Sequence, residues 1–258
     1  MSMAKGTSGS NKGVAVIGAG HMGSALIAGL LKNGARKEDI LIGTRSSSNK
    51  KAVRGAGIVF LAVKPGIVGE VLRDIRAELQ GKVVVSVAAG VTLSYLKRHA
   101  GTGVSVARIM PNLPSALGEG VVGFMRGNLN AKEARAVSKL LSRLGTLVSV
   151  KTDREIDSLT LIAGCGPGVV ASLVEALGRE AKRYGLKGSR ADAVAFQTFK
   201  GTLSYMQANR ISAANLKAAV ATKGGVTEAI LMDLEKRFKR DLAHALTVGA
   251  KRIRKIRR

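Results

Sequence analysis

The stretch GVAVIGAGHMGSALIAGLLKNGA (residues 13–35) decides the fold. Val14, Ala15, Val16 and Ile17 make an apolar run of the length that a buried parallel strand needs, and glycines at 18, 20 and 23 follow it. An apolar helical pattern then continues to KNGA, where Gly34 supplies a stop signal. Between a strand and a helix each glycine has a separate use. Gly18 permits the tight turn, Gly20 lets a pyrophosphate approach the backbone, and Gly23 lets the helix pack closely on the strand. The helix start adds N–H donors and the positive end of a dipole. The spacing predicts dinucleotide binding through Gly18, Gly20, His21, Met22 and Gly23.

Working outward, further apolar runs read as strands: DILIGTR (39–45), GIVFLAVKP (57–65), KVVVSVAAG (82–90) and VSVARIMPN (104–112). GVVGFM (120–125) and GTLVSV (145–150) are candidates for two more. Helical spacing in residues 66–79 and 93–101 separates them, and this alternation predicts an α/β, Rossmann-type doubly wound parallel sheet. Only 12 residues separate Arg45 from Ile58, too few for a helix, a strand and a second connection. The sheet is therefore expected to be shortened at one edge, with residues 39–45 as the new edge strand.

From about residue 151 the periodicity becomes helical throughout. Gly164, Gly166, Pro167 and Gly168 predict a kink or a break there. The expected organisation is a flexible arm (1–12), a dinucleotide-binding domain (13–150), an all-α domain (151–250) and a basic tail (251–258) that frays. Residues 191–206 are apolar on more than one face, which predicts a subunit interface and a homo-oligomer.

Hydrophobic residues make up 46% of the 258-residue chain, which suits a packed core; aromatics are 3%, so that core is aliphatic. The net charge of +25 suits anionic partners, and leaves nucleic acid or an anionic membrane surface as an alternative partner class. The basic residues are nevertheless scattered, with no aromatic interleaving and no nucleic-acid motif. The single cysteine, Cys165, excludes an intramolecular disulfide and fits a reducing compartment. No apolar run reads as an uninterrupted membrane span and the N-terminus lacks a signal-type apolar segment, so a cytoplasmic protein is expected. His99 and His244 join no metal-binding or acid–base cluster.

The end of the second strand bears on the cofactor. An acid there would hold a ribose 2′-hydroxyl; instead the sequence reads GTRSSSNKK. Arg45 can pair with a 2′-phosphate, Ser46 and Ser47 can donate hydrogen bonds, and Lys50 adds charge, so NADP(H) is expected in preference to NAD(H). Ala62, Val63, Lys64 and Pro65, residues 88–90, and Met110 with Asn112 follow strands and are expected to line the cleft. Lys64 and Asn112 are its polar candidates, and either can equally serve turn structure.

With these elements in order, the chain resembles the pyrroline-5-carboxylate reductases. VAVIGAGHMGSALIAGLL, IVFLAVKP, VVVSVAAGV, ARIMPNLPSALGEGV, LLSRLGTLV and EIDSLTLIAGCGPGVVASLVEAL carry the resemblance, with TKGGVTEAI more loosely. It implies an NAD(P)H-dependent reductase with a C-terminal helical dimerisation domain and an active site where domains and subunits meet. The implied reaction reduces 1-pyrroline-5-carboxylate to L-proline, the last step of proline biosynthesis. By the same resemblance Thr222, Gly224, Gly225, Val226 and Thr227 hold the substrate. The N–H groups near Gly224 receive its carboxylate, and the Thr227 hydroxyl, as the catalytic residue, sits by the ring nitrogen. A C-cap followed by an N-cap explains the same stretch without any ligand.

The departures from the family pattern fall at Lys223, where a proline is usual, at Val226 and Glu228, and at Cys165, which stands in a serine position and is read as packing. His21 stands where the family often has asparagine. These departures leave two alternatives open: a reductase of another cyclic imine or small acid, or a weakly catalytic NADP-binding protein that uses its basic surface.

Overall fold

The computed structural model describes residues 13–44 and 48–257. Seven strands form one sheet: β1 (Gly13–Ile17), β2 (Ile40–Gly43), β3 (Ala56–Leu61), β4 (Val83–Ser86), β5 (Ser105–Met110), β6 (Gly120–Met125) and β7 (Gly145–Val150). Their spatial order is β2-β1-β3-β4-β5-β6-β7, so β2 is an edge strand. A six-residue helix, α2 (Asn49–Arg54), is the one element described between β2 and β3. The chain therefore returns directly to the other side of β1, and the shortened edge follows from the length of that connection. One expectation needs correction: β6 runs antiparallel to β5, although β7 is again parallel to β6. The β5–β6 connection holds only a 3-10 turn, Leu113–Leu117, too short for the crossover that a parallel pair requires.

Helices cover both faces of the sheet, which is why its strands are almost continuously apolar. On one face Ala15, Ile17, Val59, Leu61 and Val84 pack with Val68 and Leu72 of α3 (Val68–Asp74) and Leu96 of α4 (Leu93–Ala100). On the other, Val16, Phe60, Val85 and Ala107 meet Leu26 and Leu30 of α1 (His21–Lys32) and Val137 and Leu141 of α5 (Ala131–Leu141). Within the sheet Lys82 is buried, its ammonium on the Ala56 carbonyl at 2.5 Å, and burial lowers its pKa. Arg108 of β5 is buried as well, and it is paired with Asp153 at the start of α6 (Asp153–Leu159). A capping box formed by Thr152 and Glu155 starts that helix. Backbone N–H groups of Lys151 and Thr152 hold the Glu155 carboxylate below its ordinary range.

The chain divides into two compact units, residues 1–165 together with 250–258, and residues 166–249. The division falls later than residue 150 because α6 belongs to the sheet. Its Ile156 is buried, and a side chain at Gly123 of β6 would meet Leu159 Cδ1 at 2.5 Å. The expected break takes the form of a π-helical turn, Thr160–Gly164, with the Cys165 N–H donating to the Thr160 carbonyl at 2.9 Å. Cys165 is exposed, a correction to its expected packing role.

The second unit comprises α7 (Gly166–Arg183), α8 (Ser189–Ala208), α9 (Ala213–Val220) and most of α10 (Val226–Ile256). The α7–α8 hairpin is closed by Lys182 on Asp192, while Gly178 lets the Asp192 side chain approach. Gly178, Ala191 and Ala195 are its only buried residues among those described. Val194, Phe196, Leu203 and Tyr205 of α8, and Ile230, Met232 and Leu234 of α10, are exposed. Within the helical run Asp153–Arg183 (31 residues) the most apolar window has a mean hydropathy of 1.6 and is, by length and composition alone, apolar enough to cross a membrane. Only 11% of its most apolar window is buried. A helix this exposed and apolar needs a covering surface.

Candidate functional site

The β1–α1 turn, the segment after β3 and the turn after β4 lie side by side at the carboxyl ends of three neighbouring strands. Backbone bonds lock them together. The Ala62 N–H donates to the Ile17 carbonyl at 2.8 Å, the Gly18 N–H to Gly43 at 2.8 Å, and the Val87 N–H to Leu61 at 3.1 Å. Gly18 and Gly23 are tightly packed, whereas Gly20 is open. Gly18 has φ +102°, and a side chain there would collide with the Ala62 carbonyl oxygen at 2.5 Å. A methyl on Gly23 would stand 2.0 Å from the Gly18 oxygen. At Gly20 a methyl would meet nothing within 4 Å. Its backbone therefore borders open space.

Gly20 is the N-cap of α1, with no side-chain cap and no acid in the first turn. His21 is exposed and Met22 is half-buried against the core, so the donors at the helix start remain available to an anion. This arrangement fits a dinucleotide phosphate. It also separates two substitutions that look alike. Gly20→Ala, at an extended φ of −72°, is expected to leave the fold intact and to raise the KM for NADPH about tenfold or more, by obstructing close approach. Gly23→Ala destabilises the apoprotein itself by about 1–3 kcal/mol through overpacking. Thermal melts without cofactor, run beside NADPH titrations, distinguish the two.

The other expected cofactor residues fare differently. Ala62, Val63 and Pro65 flank the Gly18 turn half-buried, with Lys64 exposed beside them. Arg45, Ser46 and Ser47 lie outside the described residues. Lys50 faces Asp74 at 3.4 Å, so its charge is directed at a neighbour. Asn112 must be corrected from cofactor ligand to structural clamp. It is buried, its Oδ1 accepts from the Val121 N–H at 2.9 Å, and its Nδ2 donates to the Ala163 carbonyl at 3.1 Å.

In the helical unit the start of α10 is partly occupied by its own chain. The Gly224 N–H donates to Glu228 Oε2 at 2.7 Å, and the Gly225 N–H donates to the Thr222 carbonyl at 2.8 Å. Gly224 and Gly225 therefore do not offer free donors as expected; Val226 and Thr227, in the first turn, do. Gly225 is needed for fit, because a side chain there would stand 2.5 Å from Thr222 Oγ1. The glycines at 224 and 225 build the turn, and the donors lie just beyond it.

Sequence reasoning missed Arg108 and its pair with Asp153, since a lone arginine in an apolar strand carries no motif. It also missed the last turn of α10. Instead of fraying, that turn buries Ile253, pairs Arg257 with Asp157 and sets Ile256 against Gly90.

A glycine-cradled dinucleotide fold with a separate helical unit defines the class, a two-unit NAD(P)-type oxidoreductase. Residues 153–256 match the family described as pyrroline-5-carboxylate reductase dimerisation, and segments 13–48 and 42–90 match NADP oxidoreductase coenzyme F420-dependent. The chain is 31% identical over 244 residues to a pyrroline-5-carboxylate reductase of Corynebacterium melassecola, covering 86% of this chain and 90% of the relative. It is 32% identical over 241 residues to pyrroline-5-carboxylate reductase 3 of Xenopus laevis, covering 86% and 88%. Among solved structures, the Plasmodium falciparum pyrroline carboxylate reductase with NADP bound superposes with a TM-score of 0.87 at 27% identity, covering 95% of this chain and 98% of that one. The chain belongs to the pyrroline-5-carboxylate reductase family.

Proposed function

We propose that the protein reduces 1-pyrroline-5-carboxylate to L-proline with NADPH as the hydride donor, working as a homo-oligomer assembled through its helical unit. The observation that carries this reading is the pairing of an open Gly20 cradle with membership of this reductase family. When bound, NADPH supplies a hydride from nicotinamide C4 to the imine carbon. Gly18, Gly20, His21, Met22 and Gly23 hold its pyrophosphate at the start of α1. The segment from Ala62 to Pro65 lines the cleft beside them, and Arg45 with Ser46 and Ser47 favours the 2′-phosphate of NADPH over NADH.

The chain has little chemistry to perform beyond placement. A protonated imine is already electrophilic, so positioning supplies the rate. The N–H groups of Val226 and Thr227 receive the substrate carboxylate, aided by the helix dipole. The Thr227 hydroxyl bonds the ring nitrogen and fixes the face offered to the hydride, and Thr222 shapes the preceding turn.

Losing one such hydrogen bond costs about 1–1.5 kcal/mol, so Thr227→Ala is expected to lower kcat about tenfold and leave the KM for NADPH unchanged. Initial rates followed by NADPH absorbance test this. A variant with wild-type kcat would remove Thr227 from the reaction.

A further inference from the structure

We propose that the C-terminal turn of α10 is a clasp that positions the cofactor-cleft turn at residues 88–90, so that tail docking and NADPH binding reinforce each other. The proposal rests on the reading of the Gly18–Gly23 cradle as the NADPH site. All the residues involved belong to the first unit, whose last segment is residues 250–258.

Three separate contacts hold the turn in place. Ile253 is 7% exposed. Arg257 pairs with Asp157 of α6, itself buried at 8% exposure. Ile256 covers Gly90, where an added Cβ would meet Ile256 Cγ1 and its carbonyl oxygen at 3.0 Å each. A sequence as basic as KRIRKIRR has every electrostatic reason to stay in water, so burying an isoleucine and pairing an arginine within it marks a specific dock.

The place at which it docks gives the clasp its function. Gly90 is buried at φ +72°, two residues before the N-cap of α4. The turn that contains it begins where the Ala88 N–H bonds the Ser86 hydroxyl at 3.2 Å. It follows β4, which is separated from β1 by β3 alone. A dinucleotide whose pyrophosphate lies at the β1 turn extends its second half over the ends of the neighbouring strands. For the strand order β2-β1-β3-β4, with the adenosine end towards β2, that half is the nicotinamide and the turn beneath it is residues 88–90. Ile256 thus presses on the cleft wall from the side of the tail. Its contact with a left-handed glycine leaves the turn little freedom to relax. Ile256 is a positioning residue here, with Arg257 and Asp157 as its anchor.

Linkage fixes the expected result: if cofactor binding favours the docked tail, undocking weakens cofactor binding by the same factor. The tail reports on itself, because Lys251, Arg252, Arg254, Lys255 and Arg257 are tryptic sites that a docked helix protects. With full-length protein, saturating NADPH should slow tryptic release of the tail at least fivefold. Ile256→Asp and, away from the cleft, Asp157→Asn should each speed that release. Both should raise the Kd for NADPH, read by its fluorescence, five- to tenfold, while kcat and the KM for the imine stay within twofold. A merely structural role would lower the melting temperature and leave the Kd unchanged. Faster release at an unchanged Kd overturns the clasp, as does tighter NADPH binding, which would make the tail an obstruction. Wild-type protein that binds NADPH without protecting its tail overturns the clasp alone. Wild-type protein that binds no NADPH overturns the functional reading and the clasp with it.

Discussion

Asp153→Ala is expected to destabilise the protein by about 3 kcal/mol, the low end of the cost of breaking a buried ion pair. Arg108 is 2% exposed in the side chain and its carboxylate partner 30%, so water reaches Asp153 and relieves part of the penalty. The same Asp153 Oδ1 also accepts the Leu93 N–H at 3.3 Å at the start of α4, and that bond is lost too. One residue therefore ties β5, α4 and α6 together. The loss should appear as a shift of the urea midpoint at constant slope, measured at one protein concentration. Arg108→Met in the Asp153→Ala background should recover most of it, because the cost comes from the stranded guanidinium. A double variant no more stable than Asp153→Ala would assign the effect to the lost α4 contact.

The second large effect concerns assembly. Phe196 and Leu203 are 60% and 57% exposed on α8, and their seven-residue spacing puts them on one face of the helix. A unit with three buried residues cannot stand on its own core, so this face is expected to be covered in the folded oligomer. Each such side chain contributes about 1.5–3 kcal/mol when buried, and a carboxylate there adds a desolvation cost. Replacing both by Glu should weaken association at least about a thousandfold. Sedimentation velocity at micromolar concentration should then show a smaller species without reductase activity. An unchanged sedimentation coefficient would place the interface on another face, for which Ile230, Met232 and Leu234 of α10 are the alternative.

The sheet was legible because its causes are local. The glycine spacing at 18, 20 and 23 dictates the turn, and a count of residues between Arg45 and Ile58 dictates the lost strand. The antiparallel β6 was not legible, since an apolar run such as GVVGFM carries no direction; that is set by the short connection before it. Asn112 misled for a related reason. A polar residue after a strand looks the same whether its amide faces a ligand or the backbone of Val121 and Ala163. The start of α10 was half legible. TKGG announces a turn and a helix, but it takes the coordinates to show Glu228 folding back onto the Gly224 N–H. The docked tail was the least legible, because its composition favours solvent and what holds it, the burial of Ile253 and the contacts with Asp157 and Gly90, involves residues far away in sequence.

The measurement that bears most directly on the central claim is product formation by wild-type enzyme: NADPH and 1-pyrroline-5-carboxylate in, L-proline quantified, with NADH in a parallel series. The expected result is stoichiometric L-proline with NADPH and a lower kcat/KM with NADH. NADPH that binds while no proline forms would contradict the assignment.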